Sequence, residues 1–385
     1  MSEERESPRA KEQGGRPLRL ALVVSEHTVR EYATLLERLL VGLADESIPV
    51  ALVCPPSCDV QSLVFGAVEI VRHPAVDLPL TQRLSRPRLL ERLRQFEPTV
   101  LHCHCESKAS LTRWLSRQLA VPYLLTVNSL QRWRRRLSIS PRRCARIVVP
   151  AKTVAESVAR RYPRLVERIE QINIGAYVKQ DCGCFATSSQ LVSMVTAHRF
   201  DSGTDFENLF RAVKQLVIEG YEFVLAMVGE GRAERQLRQQ LEALDLLEVV
   251  TIVPRLRPWR SALAAGDIYI RAVASSTFDP FLLEAMSVGS AVAACKGGVD
   301  DLIIPDRTAV LFNPGDELSI RAALQRLLDR PEFARQLAEG AQEHLRENYS
   351  VSKMVGDTVR AYSRAMQWHA KRKRSSTAPC ISAGV

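Results

Sequence analysis

The sequence predicts two α/β domains in tandem, each a doubly wound parallel sheet with helices on both faces. Three features support this prediction. Short apolar runs alternate with longer helical patterns along the chain. The alternation starts again at Leu191–Thr196, and a polar stretch at Lys179–Ser189 separates the two halves. Because parallel sheets are covered on both faces, their strands are typically continuous apolar runs, as these are.

Each half supplies its own strands and helices. In the first half, strands are predicted at Leu20–Ser25, Pro49–Cys54, Val100–Cys103, Pro122–Val127 and Arg146–Pro150, with a helix over Val29–Leu43. In the second half, strands are predicted at Leu191–Thr196, Phe223–Val228, Val249–Val253, Asp267–Val273, Ala291–Cys295 and Ala309–Phe312. Apolar spacing predicts a helix over Arg232–Leu244, and Pro331 suits the first position of another helix.

These elements define the predicted domains, at 18–180 and 185–351. Residues 1–17 and the basic segment 371–385 are predicted to be disordered tails, because neither carries an apolar pattern. A helical pattern over 352–370 follows the second domain and could cross back to the first. Sheets of this kind bind ligands beyond the carboxyl ends of their strands, so the cleft between the domains is the predicted site.

Composition excludes several classes of protein. With 46% hydrophobic and 25% charged residues in a chain of 385, a disordered protein is excluded. No apolar run is long enough to span a bilayer, and the first residues lack the apolar core of a secretory signal. Nine scattered cysteines favour reduced thiols in a cytoplasmic protein. The pairs Cys103/Cys105 and Cys182/Cys184 have C-x-C spacing, which is not that of structural zinc, so no metal is predicted.

The positive charge is concentrated in two places. The formal net charge is +10, with an arginine-rich run between Arg132 and Arg146 and a cluster at Lys371–Arg374. Such clusters attract phospholipid head groups, polyanionic saccharides or nucleic acid, and a merely solvated face is the alternative. The motifs of RNA- and DNA-binding proteins are absent, so nucleic acid is not a predicted partner. The candidate patch for an acceptor or a membrane is Arg132, Trp133, Arg134, Arg135 and Arg136.

Two glycine pairs follow predicted strands in the second half. Gly229 and Gly231 come after one strand and open a helix, and Gly297 and Gly298 follow another, next to Lys296. Glycines in such turns let a phosphate approach the main chain, although a plain tight turn would use them equally well. Glu284 lies in an apolar helical segment, where a carboxylate is costly unless it is paired, bound to a ligand or turned outward.

The order of these segments resembles glycosyltransferase family 4, the retaining enzymes of the GT-B fold. The resemblance is carried by VTAHRF, VGEGRAERQLRQQL, AAGDIYIRAVASSTFDPFLLEAMSVGSAVAACKGGVDDLI and AVLFNPGDELSIRAALQRLLD in the second half. In the first half it runs through VLHCHCESKASLTRWLSRQLAVPYLLTVNSL, RIVVPAKTVAESV and INIGAYV. It implies transfer of a sugar from a nucleotide-sugar to a saccharide or lipid-linked acceptor with retention of configuration, without metal or cofactor. The cysteines favour a cytoplasmic protein, and the arginine-rich run could rest on the inner face of the membrane.

The resemblance also implies roles for individual residues. Arg199 matches the arginine that holds the donor diphosphate, and Glu284 matches the glutamate that binds the ribose. At three other positions the family residue is replaced: the diphosphate lysine by Thr204, the sugar-binding glutamate by Ser276 and the histidine near the reacting sugar by Asn128. The implied catalytic set is Arg199, Ser276 and Asn128. The implied donor-binding set is Glu284, Gly229, Gly231, Gly297, Gly298, Lys296, Arg271, Phe278, Asp301 and Thr204.

The replacement at Thr204 removes one cation from a site that must stabilise a departing diphosphate. Arg271, in an apolar strand, and Lys296 are the two candidates to replace it, and one of them is expected to face the diphosphate. The alternatives are that Arg271 pairs internally and that Lys296 is solvated. The three replacements also leave open a second function, in which a catalytically impaired GT-B protein acts as a binding or assembly module.

Overall fold

The computed structural model describes residues 17–377 except 61–62, 64–67, 75–81, 132–135, 187–190, 255–262 and 264–265. The predicted tail at 1–17 therefore lies outside the described residues, apart from Pro17, and so does the last part of the tail predicted at 371–385. Within these ranges the chain forms two parallel sheets, as the sequence predicts.

The first sheet has seven parallel strands in the order β3-β2-β1-β4-β5-β6-β7. They are β1 Leu20–Val23, β2 Val50–Cys54, β3 Val68–Arg72, β4 Val100–Cys103, β5 Tyr123–Thr126, β6 Cys144–Val149 and β7 Ile169–Gln171. The helices of this half are α1 Glu26–Glu31, α2 Ala33–Asp45, α3 Gln82–Phe96, α4 Ala109–Leu119 and α5 Lys152–Arg161. Strand order reverses beside β1, so the loops after β1 and β4 diverge and leave a crevice at their carboxyl ends.

The second sheet has six parallel strands in the order β10-β9-β8-β11-β12-β13. They are β8 Val192–Ala197, β9 Phe223–Val228, β10 Val250–Val253, β11 Ile268–Arg271, β12 Ala291–Cys295 and β13 Val310–Phe312. The helices are α6 Glu207–Ile218, α7 Glu234–Ala243, α8 Pro280–Val288, α9 Glu317–Leu328 and α10 Pro331–Asn348. Helix α8 begins sharply because the Asp279 carboxylate accepts hydrogen bonds from the Phe281 and Leu282 amides.

The structure differs from the prediction at particular elements. Strands β3 and β7 were not predicted, because both are edge strands whose residues are only partly buried and carry charges. The single helix expected over Val29–Leu43 is divided at Tyr32, whose hydroxyl donates to the Phe278 carbonyl oxygen of the other domain at 3.0 Å.

The last helix, α11 Val351–Thr377, leaves the second domain and packs against the first. Tyr362 is fully buried there, and its hydroxyl shares a 2.8 Å hydrogen bond with Nδ1 of His102 in β4. The helix also extends beyond 370, so the disordered tail predicted from 371 is wrong for residues 371–377. Arg372 and Lys373 of that segment line a concavity beside the first domain.

The two domains share one apolar core where they meet. Val23 and Leu125 of the first sheet belong to the same buried cluster as Phe278, Leu282 and Met286 of the second domain. The carboxyl ends of both sheets border this contact, which is the edge where a ligand is expected.

Candidate functional site

A cavity of ≈ 860 Å³ lies between the domains at the carboxyl ends of the strands. Loops that follow β1, β4 and β5 form one wall, and the loop after β11 forms the other. Its described lining residues include Asn128 and Ser276, the two positions expected to contact the sugar. The cavity falls within the size range of small-molecule sites.

The main chains on either side of this cavity are joined by hydrogen bonds. The Phe278 amide donates to the Asn128 carbonyl oxygen at 2.9 Å, and the Leu130 amide donates to that of Ser276 at 2.8 Å. Between these bonds, Ser129 and Thr277 form an antiparallel bridge. We call Asn128–Leu130 with Ser276–Phe278 the interdomain bridge; it sets Asn128 beside Ser276 and closes one side of the cleft.

Arg199 lies beside this region in a smaller cavity of ≈ 100 Å³, which Phe278 also lines. Thr277 borders both cavities, so the two are neighbours. The Arg199 side chain is 41% exposed, and its guanidinium pairs with Asp201 at 3.2 Å. Arg199 is therefore near the predicted site and open to it.

Gly229 and Gly231 position Arg199. A Cβ atom on Gly229 would lie 2.1 Å from the His198 carbonyl oxygen, and one on Gly231 would lie 2.3 Å from that of Phe200. Both glycines are thus needed for the loop after β9 to pack against the loop that carries Arg199. This packing explains both glycines without a bound ligand, as expected for a plain tight turn.

Glu284 forms a buried ion pair between the domains. Its carboxylate lies 2.6 Å and 2.9 Å from the two terminal nitrogens of Arg38, and each side chain is 3% exposed. Arg38, in helix α2, also donates to the Gly175 carbonyl oxygen at 2.9 Å. The carboxylate expected to bind a ribose is therefore already paired, and it lines neither of the two cavities.

Arg271, one of the two residues offered to face the diphosphate, is bound to groups of its own domain. The side chain is 2% exposed, and its guanidinium donates to the carbonyl oxygens of Cys295, Gly297 and Val299 at 3.1–3.4 Å. Its Nε lies 3.6 Å from Asp279. Arg271 thus ties the loop after β12 to the start of α8. The internal-pairing alternative describes it correctly.

Three other donor-binding candidates also lie outside the two cavities. Lys296 is exposed at the end of β12. Thr204 is exposed, and its hydroxyl bonds that of Ser202 at 2.9 Å. Asp301 accepts from the Thr153 amide at 3.1 Å, so it caps helix α5 across the domain contact instead of lining the cleft.

Gly298 is required by its backbone and by its surroundings. Its φ is +75°, and a Cβ atom would lie 2.0 Å from the Ser275 carbonyl oxygen. Gly297 also has a positive φ, +99°, but an added Cβ would have 3.8 Å to its nearest neighbour. The loop they form therefore packs closely against the segment that leads to Ser276.

We expect Gly298→Ala to destabilise the protein more than Gly297→Ala does. Both substitutions place an alanine at positive φ, which costs about 1–2 kcal/mol. Only Gly298→Ala also forces a backbone carbonyl to move. Thermal unfolding of the two variants checks this, and equal melting temperatures would contradict the close packing at Gly298.

Sequence reasoning missed several polar residues of the cleft, among them His104, Cys105 and Glu106. Burial lowers the pKa of His104 to about 4, so its imidazole is neutral, and its Nε2 has no hydrogen-bond partner among the described residues. Burial raises the pKa of the Glu106 carboxyl, which accepts a 2.7 Å hydrogen bond from the Ser129 hydroxyl. The HCHC pattern at 102–105 is the sequence signal for these residues, because two histidines and two cysteines lie at and just after the end of a buried strand. Within the described ranges, no group of three or more such side chains could hold a metal ion.

The Cys105 thiol is expected to react at unusually low pH. Hydrogen bonds, first from Cys103 and then from Ser107 and Ser25, lower its pKa to about 6. The thiolate reacts and the thiol does not, so alkylation by iodoacetamide should reach half its maximal rate at a lower pH than for an ordinary cysteine. An ordinary cysteine does so near pH 8.5. Mass spectrometry of the Cys105 peptide, with Cys105→Ser as the control, measures this; a midpoint near pH 8.5 would contradict it.

The arginine patch is only partly within the described residues. Arg132, Trp133, Arg134 and Arg135 lie outside them, while Arg136 is exposed and lines the ≈ 860 Å³ cavity. Among the described residues, no helix is both long enough and apolar enough to cross a membrane.

Comparison with known protein families accounts for this architecture. The sequence profile of Glycosyltransferase Family 4 matches residues 32–176, and that of Glycosyl transferases group 1 matches residues 193–330. The chain belongs to glycosyltransferase family 4. Its two GT-B domains coincide with the two profiles, and the cleft between them contains Asn128 and Ser276.

The curated relatives resemble this glycosyltransferase over only part of their length. The lipopolysaccharide core biosynthesis glycosyltransferase LpsD of Rhizobium meliloti is 27% identical over 169 residues, 43% of this chain and 47% of that protein. The sulfoquinovosyl transferase SQD2 of Arabidopsis thaliana is 28% identical over 141 residues, 36% of this chain and 27% of that protein. The matched region thus spans less than half the length of each of these relatives.

Solved structures share the whole GT-B fold at low identity. A glycosyltransferase from Rickettsia africae superposes with a TM-score of 0.76 and 13% identity, over 92% of this chain and 100% of that one. Anabaena HepE in complex with UDP superposes with a TM-score of 0.71 and 14% identity, over 90% of this chain and 99% of that one. At these identities the likeness shows the fold.

Proposed function

We propose that this protein transfers a glycosyl group from a nucleotide-sugar to a saccharide or lipid-linked acceptor, with retention of configuration and without metal or cofactor. The observation that carries the proposal is the interdomain cavity, which places Asn128 and Ser276 together with Arg199 nearby. Family membership supports glycosyl transfer as the reaction class. HepE, which shares the fold, is described in complex with UDP and with UDP-glucose, which makes a uridine donor the first to test.

Three residues have proposed roles in this reaction. Arg199 would stabilise the diphosphate as it departs, because a fixed cation acts most strongly where negative charge develops. Asn128 and Ser276 would hydrogen-bond the hydroxyl groups of the transferred sugar. An oxygen of the departing phosphate would accept the acceptor proton on the same face of the sugar, which retains the configuration. The interdomain bridge must open to admit the sugar, since its backbone bonds span that part of the cleft.

A lipid-linked acceptor would place the protein in the cytoplasm at the inner face of the membrane. The exposed Arg136 at the mouth of the cavity supports an anionic partner there. Nucleic acid is not a proposed partner.

A second function is retained because Glu284 is paired with Arg38. With Glu284 paired, Arg271 bound to carbonyl groups and Lys296 outside the cavities, Arg199 carries the diphosphate role alone among the candidate cations. A protein impaired in this way could bind a nucleotide and act as a binding or assembly module.

One experiment separates the two functions. The full chain is incubated with UDP-, GDP- and ADP-sugars while release of nucleoside diphosphate is measured, and binding is followed by calorimetry. A glycosyltransferase releases diphosphate from at least one donor, slowly even without acceptor. Binding without release supports the module, and neither binding nor release contradicts both functions.

A further inference from the structure

A second large concavity lies on the outer side of the first domain. Its volume is ≈ 780 Å³, and helix α4, the segment before β6 and the end of α11 form its walls. The described residues that line it include no acid. We call it the basic groove, and its cations are Arg86, Arg113, Arg117, Arg142, Arg143, Arg372 and Lys373.

The basic groove joins residues that are far apart in the sequence. Helix α11 brings Arg372 and Lys373 to the end of α4, where His369 Nε2 lies 2.9 Å from the Ala120 carbonyl oxygen. Burial and then the nearby charges of Lys373 and Arg143 lower the pKa of His369. Within the described residues, Arg113, Arg117 and Arg142 are exposed and form no salt bridge. Among the described lining residues, no acid offsets the positive charge of the groove.

Two segments of the chain run from the cleft to the groove. Glu106 and Ser107 line the cleft, and the groove begins at Ser110, in the first turn of the helix that follows them. Similarly, Leu137 lines the cleft and Ile139 lines the groove. From Ser110 to Ala120 the helix extends by about 15 Å, enough for several linked sugars.

We propose that the basic groove binds the acidic groups of an anionic saccharide, the acceptor of the transfer proposed above. This identification of the acceptor rests on the proposed function. Guanidinium groups bind carboxylate and phosphate in paired hydrogen bonds, and arginine dominates the groove. Trp114 lines it as well, with Arg86 stacked on the ring at 5.4 Å, so an aromatic face lies beside the cations. A concave groove that begins near the cleft suits an extended chain better than the plane of a bilayer.

Calorimetry on the full chain tests the proposal with defined probes. The probes are a galacturonate oligomer, a phosphorylated mannose oligomer, a neutral maltooligosaccharide of equal length and vesicles with or without phosphatidylglycerol. The variant Arg113→Ala/Arg117→Ala removes two cations from the groove. The variant Arg235→Ala/Arg238→Ala removes two arginines from the exposed surface of α7 in the other domain and is the matched control.

We expect at least one acidic oligomer to bind and the neutral one not to bind. The groove variant should bind that oligomer about ten-fold more weakly, and added salt should weaken binding further, while the control variant binds like the wild type. Equal affinity in the groove variant, or no binding of either acidic oligomer, would overturn the proposal. Binding to anionic vesicles alone would overturn it in favour of a membrane.

Donor turnover measured on the same samples keeps the two proposals apart. If an acidic oligomer binds in the groove while no nucleotide-sugar is turned over, the groove is a saccharide site and the proposed function fails. If a donor is turned over while neither acidic oligomer binds, the proposed function stands and the groove proposal fails. Because Arg113 and Arg117 do not line the cleft, the groove variant should hydrolyse donor without acceptor at the wild-type rate.

Discussion

Replacing Arg38 with methionine is expected to lower the free energy of unfolding by about 3–5 kcal/mol, because Glu284 would be left as an unpaired buried carboxylate. The two side chains are each 3% exposed and are joined by a 2.9 Å hydrogen bond and a 2.6 Å ion-pair contact, so bulk water has little access to the carboxylate. Urea denaturation of the full chain measures the change.

Two further variants separate the buried charge from other effects of the substitution. Arg92→Met breaks the exposed pair with Glu69 in the same domain and should cost only about 0.2–1 kcal/mol. The double variant Arg38→Met/Glu284→Met removes both charges and should recover most of the loss, although the Gly175 carbonyl oxygen still loses its donor. Similar losses in Arg38→Met and Arg92→Met would show that the buried pair does not form.

Replacing Arg199 with alanine is expected to reduce kcat/KM for nucleotide-sugar hydrolysis by about 10²–10³-fold. The reason is that the other candidate cations lie elsewhere: Arg271 is bound to carbonyl groups and Lys296 lies outside both cavities. Steady-state release of nucleoside diphosphate measures the effect.

The controls for Arg199 follow from the same geometry. Arg199→Lys keeps the charge but loses the paired hydrogen bonds, so its rate should fall between those of wild type and Arg199→Ala. Lys296→Ala should keep nearly the wild-type rate. A larger loss in Lys296→Ala than in Arg199→Ala would place the diphosphate at the loop after β12 and contradict the assignment.

The fold was predictable because strands of a covered parallel sheet are apolar throughout, and such runs are visible in the sequence. Leu20–Val23 and Ala291–Cys295, both completely buried, lie within the predicted strands. The edge strands β3 and β7 were not predicted because most of their residues are only partly buried and several are charged. The extension of α11 to Thr377 was not predicted because the end of that helix is highly charged and exposed.

The sequence predicts which residues follow a strand and therefore lie at its carboxyl end. It does not predict which side chains from distant segments pair with each other. The sequence could place Asn128 and Ser276 at the cleft, since both follow strands whose carboxyl ends border it. Neither the pairing of Arg38 with Glu284 nor the carbonyl groups around Arg271 could be inferred, because their partners come from distant segments. Because a buried charge is costly, the sequence indicated only that Glu284 and Arg271 each needed a partner.

The central claim, that the donor sugar binds between the two domains, is tested most directly by locking the interdomain bridge. The two backbone hydrogen bonds flank Ser129 and Thr277, which makes them a non-hydrogen-bonded antiparallel pair with Cα atoms about 4.5 Å apart, suitable for a disulfide. Donor binding and turnover are therefore measured for the variant Ser129→Cys/Thr277→Cys before and after reduction. We expect the oxidised protein to lose donor binding and turnover, and we expect reduction to restore them. An oxidised protein that binds and turns over donor like the wild type would contradict binding of the sugar between the domains.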